Sequence, residues 1–203
     1  MRCIMSLQAH STSQRLFISI PIPPNIQSAL GKLQADCRAN LPGPGLRWVR
    51  PAQFHLTLRF LGKVETETSP QVVAALKKTG GLFPPLSMIC QKPGIFPQRG
   101  SPRVLWIGVG DRQNKLIELQ RAVSDAVQMF TNETPEPHFT GHITLARCKE
   151  LAREESHVLR GWVETAGLLD LGSWQAAELH LMKSSLLPEG SIHSVIERIP
   201  LSA

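Results

Sequence analysis

Two stretches of this chain carry the same polar phrase inside an apolar, strand-like run: FHLTLRFLG from Phe54 to Gly62 and GHITLARCK from Gly141 to Lys149. Side chains on a β-strand alternate between faces, so His55 and Thr57 point one way while Phe54, Leu56 and Leu58 point the other. His142 and Thr144 stand against Ile143 and Leu145 in the same manner. Each strand is therefore expected to send one face to the core and the other to a polar site. An imidazole and a hydroxyl side by side on a rigid strand can both donate to a phosphate oxygen, and an ordinary histidine pKa of ~6.5 lets the ring give or take a proton near neutral pH. Two such strands facing each other supply two proton-transfer groups and two hydroxyl donors around one phosphate. That is acid–base phosphoester chemistry, and it calls for no metal.

A single histidine on a strand is more often a hydrogen-bonded structural residue than a catalyst. Here the phrase occurs twice, and each copy leads through apolar residues to an arginine, Arg59 and Arg147. His10, His157 and His180 have no comparable context. His138 and His142 are four apart, but a zinc-protease pair needs Glu beside the first histidine and a helix beneath both; Phe139 follows instead, and Thr140-Gly141 opposes a helix. No Walker loop, G-x-S-x-G elbow or complete G-x-G-x-x-G is present, so neither a metal nor an organic cofactor is expected.

These strands need a scaffold, and 203 residues with a 42% hydrophobic and 19% charged composition can bury a sizeable core. One compact unit is expected, built as two lobes. Lys and Arg outnumber Asp and Glu by 22 to 16, a net charge of +6 that favours an anionic partner. Cys3, Cys37, Cys90 and Cys148 lie far apart with no C-x-x-C pair, which fits reduced thiols in a cytoplasmic protein. No run approaches the ~18 apolar residues of a membrane span. Residues 1–14 read as a loose N-terminal tail, and 15–203 as a single bilobal domain.

Alternation predicts a strand at Arg15 to Pro23, and Ile26, Leu30, Leu33 and Cys37 recur at helical spacing behind Pro24. A short strand follows at Leu46 to Val49, then the first His-x-Thr strand, then a helix around Pro70 to Lys78 ending at Gly80 and Gly81. PLSMICQKPGIFP and PRVLWIGVG read as two further strands. Leu116, Leu119, Val123, Val127 and Phe130 mark the strongest helix, ahead of the second His-x-Thr strand. A helix over Glu154 to Val163 and a closing hairpin that turns at Pro188-Glu189-Gly190 complete the chain. The order, with one His-x-Thr strand in each half, predicts an internal duplication.

With these motifs in place, the chain resembles the two-histidine (2H) phosphoesterases, whose mark is a pair of H-x-[ST]-h motifs with h apolar. Within them it is most similar to the RNA 2′,3′-cyclic phosphodiesterases, also called 2′-5′ RNA ligases. RLFISIPIP resembles the family's opening strand, LRWVRPAQFHLTLRFLG its first motif block and PRVLWIGV its middle strand; GHITLARCK and LHLMKSSLLPEGS continue the same order. The resemblance implies an α+β fold of two antiparallel sheets with flanking helices around a central cleft, related by a pseudo-twofold. It implies hydrolysis of a 2′,3′-cyclic phosphate at an RNA end to a 2′-phosphate without metal; separately, the lack of a long heptad pattern or an apolar surface stretch reads as a monomer. His55 and Thr57 match the first motif and His142 and Thr144 the second, with His55 as acid and His142 as base. Phe60 and Arg147 match the nucleobase-stacking positions, although strict alternation puts both on the wrong face of their strands.

Two departures stand out. The family usually has proline before the second catalytic histidine, where this chain has Gly141, so a less rigid start to that strand is expected. It also commonly has tyrosine in the final strand; this chain has no tyrosine and carries His193 there. Other readings remain open: joining RNA ends through a 2′-5′ linkage, a preference for small nucleotide 2′,3′-cyclic phosphates, or a non-catalytic module that holds AMP or RNA. The intact motif pair favours catalysis, because a binder has no need of two proton-transfer groups.

Overall fold

The computed structural model describes residues 12–41, 45–167, 169, 171–187 and 190–203. In chain order the elements are β1 (Ser13–Pro21), α1 (Pro24–Asn40), β2 (Leu46–Trp48), a 3₁₀ turn at Pro51–Gln53, β3 (His55–Glu65) and α2 (Ser69–Gly80). Then come β4 (Leu86–Phe96), β5 (Val104–Asp111), α3 (Lys115–Val127), β6 (His142–Cys148), α4 (Arg153–Thr165), β7 (Ser173–Ala176), β8 (Glu178–Leu187) and β9 (Gly190–Pro200). Pro24 opens α1 where a missing N–H costs nothing, and Ile26, Leu30, Gln34 and Cys37 form its buried stripe. The Asp111 carboxylate starts α3 by accepting from the backbone N–H groups of Gln113, Lys115 and Leu116 at 2.9–3.0 Å. α3 then buries Leu116, Leu119, Val123 and Val127, the stripe its periodicity predicts.

All pairings are antiparallel, and the strands follow the order β7-β4-β5-β6-β3-β1-β8-β9, with β2 added along β6. From the centre outward, β3-β1-β8-β9 mirrors β6-β5-β4-β7, and each side contains a strand–helix–strand unit, β1-α1-β3 or β5-α3-β6. The antiparallel α+β class and the duplication are as expected. The two anticipated sheets are, however, joined edge to edge into one curled sheet by a single registered pair, Leu56 with Ile143. Nor are the halves consecutive: the closing hairpin β8–β9 returns to the first lobe through β1. β1 takes up Ser13 and Gln14, which the alternation had assigned to the tail. The tail through residue 11 and the predicted turn residues Pro188 and Glu189 lie outside the described residues, though Leu187 and Gly190 are paired as a hairpin requires.

One irregularity occurs in both motif strands at the same place. Between β1 and β3, Ser19 pairs Thr57 and Ile18 pairs Arg59, so Leu58 is an extra residue. Between β5 and β6, Trp106 pairs Thr144 and Leu105 pairs Ala146, so Leu145 is extra. Each bulge falls three residues after its motif histidine and shifts the alternation by one, so that Leu58 and Arg59 are buried in succession, as are Leu145 and Ala146. A bulge takes backbone groups out of the ladder, and buried carbonyls need donors. Buried glutamines supply them from the helices: Gln120 of α3 donates to the Leu58 carbonyl at 3.3 Å and Gln34 of α1 to the Leu145 carbonyl at 3.0 Å. Periodicity gave no warning of either glutamine.

Candidate active site

The pair Leu56–Ile143 fixes the relation between the two motifs. Both side chains are fully buried, so their strand neighbours face the opposite way, into the cleft. Continuing that register by one residue in each direction sets His55 across from Thr144 and Thr57 across from His142. The structure thus brings all four motif side chains to one face, drawn from distant parts of the chain. The bulges then carry Phe60 and Arg147, each five residues past its histidine, onto that same face. The conflict of parity is resolved: Phe60 is 52% exposed, and it contacts Phe17, whose ring also meets His55.

The two imidazoles are held alike. His55 donates from Nδ1 to the Gln53 carbonyl at 2.7 Å and His142 from Nδ1 to the Thr140 carbonyl at 2.8 Å. In each case the acceptor lies two residues before the ring. Such a bond fixes the tautomer and leaves Nε2 as the atom that can take or give a proton. The Gln53 side chain in turn donates to the Ser191 carbonyl at 2.8 Å, tying β9 to the turn that carries His55.

The rings around them differ. His55 packs against Phe17 at 5.1 Å between centroids and meets His193 edge-on at 5.1 Å. His142 meets Phe96 edge-on at 5.1 Å, with Trp106 at 5.9 Å. Trp106 fits only because Gly94 lies opposite it; a Cβ there would run into the indole. Burial pushes His55 down to about 4 from its ordinary value, against the pull of the Gln53 carbonyl, and the nearby His193, Arg147 and His142 add to the depression. His193 is also lowered, by burial and then by Arg147, and its Nδ1 is buried without a partner. The charge of Arg147, on β6, is thus felt at both His55 and His193. Phe17, Phe96, Trp106 and His193 had not been expected at the site as a group; their positions depend on which strands become neighbours.

Gly141 is explained by close approach. Its carbonyl accepts from the Val109 N–H at 2.8 Å, and a Cβ would collide with the Val109 carbonyl and lie 2.9 Å from Leu116. The start of β6 is thus held by β5 in the place where a looser strand was expected. His180 is buried and bonded to Glu178 at 2.7 Å, a structural role. Among the described residues no group of three or more His, Cys, Asp or Glu gathers to hold a metal ion, and no helix is long and apolar enough to cross a membrane.

A family model described as LigT like phosphoesterase matches residues 20–106. An RNA 2′,3′-cyclic phosphodiesterase of Thermus thermophilus is 30% identical over 193 residues, covering 92% of this chain and 90% of its own. The chain belongs to the LigT-like phosphoesterase family. A protein of the same name from Methanocaldococcus jannaschii is 27% identical over 183 residues, 90% of this chain and 98% of its own. Among solved structures, that of TT0787 from Thermus thermophilus matches with a TM-score of 0.76 at 28% identity, over 92% of this chain and 97% of that one. Escherichia coli LigT in complex with NADP+ matches at 0.70 and 25% identity, over 95% of this chain and all of its own. Within this LigT-like phosphoesterase, the two motifs and their bulges occupy the centre of the matched fold.

Proposed function

We propose that this LigT-like phosphoesterase hydrolyses RNA 2′,3′-cyclic phosphate ends to 2′-phosphomonoesters, with His55 and His142 as the acid–base pair. The observation that carries this reading is the Leu56–Ile143 register, which sets two imidazoles with free Nε2 atoms on one cleft face. Relatives that bear the name RNA 2′,3′-cyclic phosphodiesterase over most of this chain support it.

In-line attack places water opposite the leaving 3′-oxygen. One neutral imidazole takes the proton of the water as its oxygen bonds to phosphorus; the other, protonated, delivers a proton as the bond to the 3′-oxygen breaks. Thr57 and Thr144 donate to the non-bridging oxygens, whose charge grows in the transition state. Phe60 and Arg147 hold the terminal base between an aromatic face and a guanidinium plane, a contact open to any base. A 5′-hydroxyl in the position of the water gives a 2′-5′ linkage by the same steps.

Family likeness gives His55 the acid role and His142 the base role. Burial that keeps His55 unprotonated in the unliganded protein favours the exchange of roles, unless the phosphate anion restores its proton on binding. The free thiols Cys37, Cys90 and Cys148 fit a reducing, cytoplasmic setting, and the chain from β1 at Ser13 onward acts as one monomeric domain. Incubation with a cyclic-phosphate RNA end in EDTA is expected to yield the 2′-phosphate product. A strict need for divalent metal, or a 3′-phosphate product, would refute this mechanism.

A further inference from the structure

Beyond Phe17 and Phe60 the same face of the sheet runs into a basic recess. β1 uses its residues consecutively in its pairings with β3 and β8, so Arg15, two before Phe17, shares the face of Phe17 and Ser19. Its direct partner on β3 is Lys63, and its partner on β8 is Ser184. With Ser13, Gln14 and Lys183 these residues line a recess of about 400 Å³. Arg15, Lys63 and Lys183 are exposed, and among the described residues none of them is in an ion pair, whereas Lys77, Lys115 and Arg198 each have a carboxylate partner. Glu65, opposite Ser13, follows on the same face and ends the cationic stretch.

Two like charges directly across an antiparallel pair repel and weaken it, so the pairing of Arg15 with Lys63 is unfavourable for folding alone. A ligand with repeated negative charge reverses that balance. The row of Arg15 lies four residues along β1 from Ser19, the partner of Thr57, a distance of about 13 Å. Phe60, which holds the terminal base with Arg147 and is backed by buried Phe17, stands between the two. Lys183, paired with buried Leu16, faces the other side of the sheet. We propose that Arg15 and Lys63 hold the internucleotide phosphates upstream of the reacting end, a second contact zone that an oligonucleotide reaches and a nucleoside cyclic monophosphate does not. This rests on the cyclic-phosphate reading of the histidine pair.

The test compares kcat/KM for a nucleoside 2′,3′-cyclic monophosphate and for a pentanucleotide with the same cyclic end, in the wild type and in an Arg15→Gln/Lys63→Gln variant. Each phosphate contact on a single strand contributes a slope of about −0.7 in log affinity against log salt. The wild type is expected to prefer the pentanucleotide by at least about tenfold at low salt, and the variant to lose most of that preference together with about 1.4 of the salt slope. Equal kcat/KM for both substrates in the wild type, or an undiminished preference in the variant, would overturn the proposal. If neither substrate turns over, the hydrolytic reading has failed instead. Binding of a 2′-phosphate-ended pentanucleotide then judges the recess alone: weakening by about tenfold in the variant supports it, and equal affinity refutes it.

Discussion

Replacement of His142 by alanine is expected to slow hydrolysis of a cyclic-phosphate RNA end by roughly 10³-fold or more, and replacement of His55 to do the same, with the fold retained. Among the described residues the hydrogen bond of each ring runs from Nδ1 to a neighbouring backbone carbonyl, with no charged partner, so the loss of either ring leaves no buried charge behind. Because the two groups serve one displacement, the double variant should fall little below either single one. The roles are separable with a substrate that carries sulfur at the leaving 3′ position. A thiolate leaves without a proton, so the variant lacking the acid regains most of its rate while the variant lacking the base does not. Rescue of His55→Ala assigns the acid to His55; rescue of His142→Ala exchanges the assignments. Full activity in either single variant on the natural substrate removes that residue from the mechanism.

Replacement of Gln34 by leucine is expected to destabilise the fold by roughly 1–3 kcal/mol and to raise KM more than it lowers kcat. Gln34 is buried, and its amide donates to the carbonyls of Val49 at 2.7 Å and Leu145 at 3.0 Å. Leucine fills the volume but leaves the Val49 carbonyl without that donor and loosens the bulge that turns Arg147 into the cleft. Thermal unfolding measures the first effect, and steady-state kinetics on the cyclic-phosphate end measures the second. Unchanged stability and KM would mean that β6 keeps its bulge without help from α1.

The chemistry of the site was legible in the sequence because it lies in residue types and in the two-residue repeat of a strand. His55 with Thr57, and His142 with Thr144, needed no knowledge of partners. Phe60 and Arg147 were not placeable by alternation, since each owes its facing to a bulge, and a bulge exists only relative to a neighbouring strand. The ring contacts of His193 and Phe96 were hidden for a related reason: β9 and β4 reach the site through sheet order, which local pattern does not encode. Gly141 was visible as a departure, but its cause, the approach of the Val109 carbonyl, is a tertiary contact. The helices were legible almost to their ends, because apolar residues recur at helical spacing along α3 and α1, although the buried Gln34 and Gln120 were not. The division into two sheets was not, since a single pair, Leu56 with Ile143, turns two into one.

The central claim is that the Nε2 atoms of His55 and His142 converge on one phosphorus centre. It is tested most directly by a crystal structure with a nucleoside 2′-phosphate bound. Both Nε2 atoms are predicted to lie within about 3.2 Å of oxygens on the same phosphate, with the Thr57 and Thr144 hydroxyls on the remaining ones. A phosphate held by one histidine alone, or seated away from both, would contradict the account.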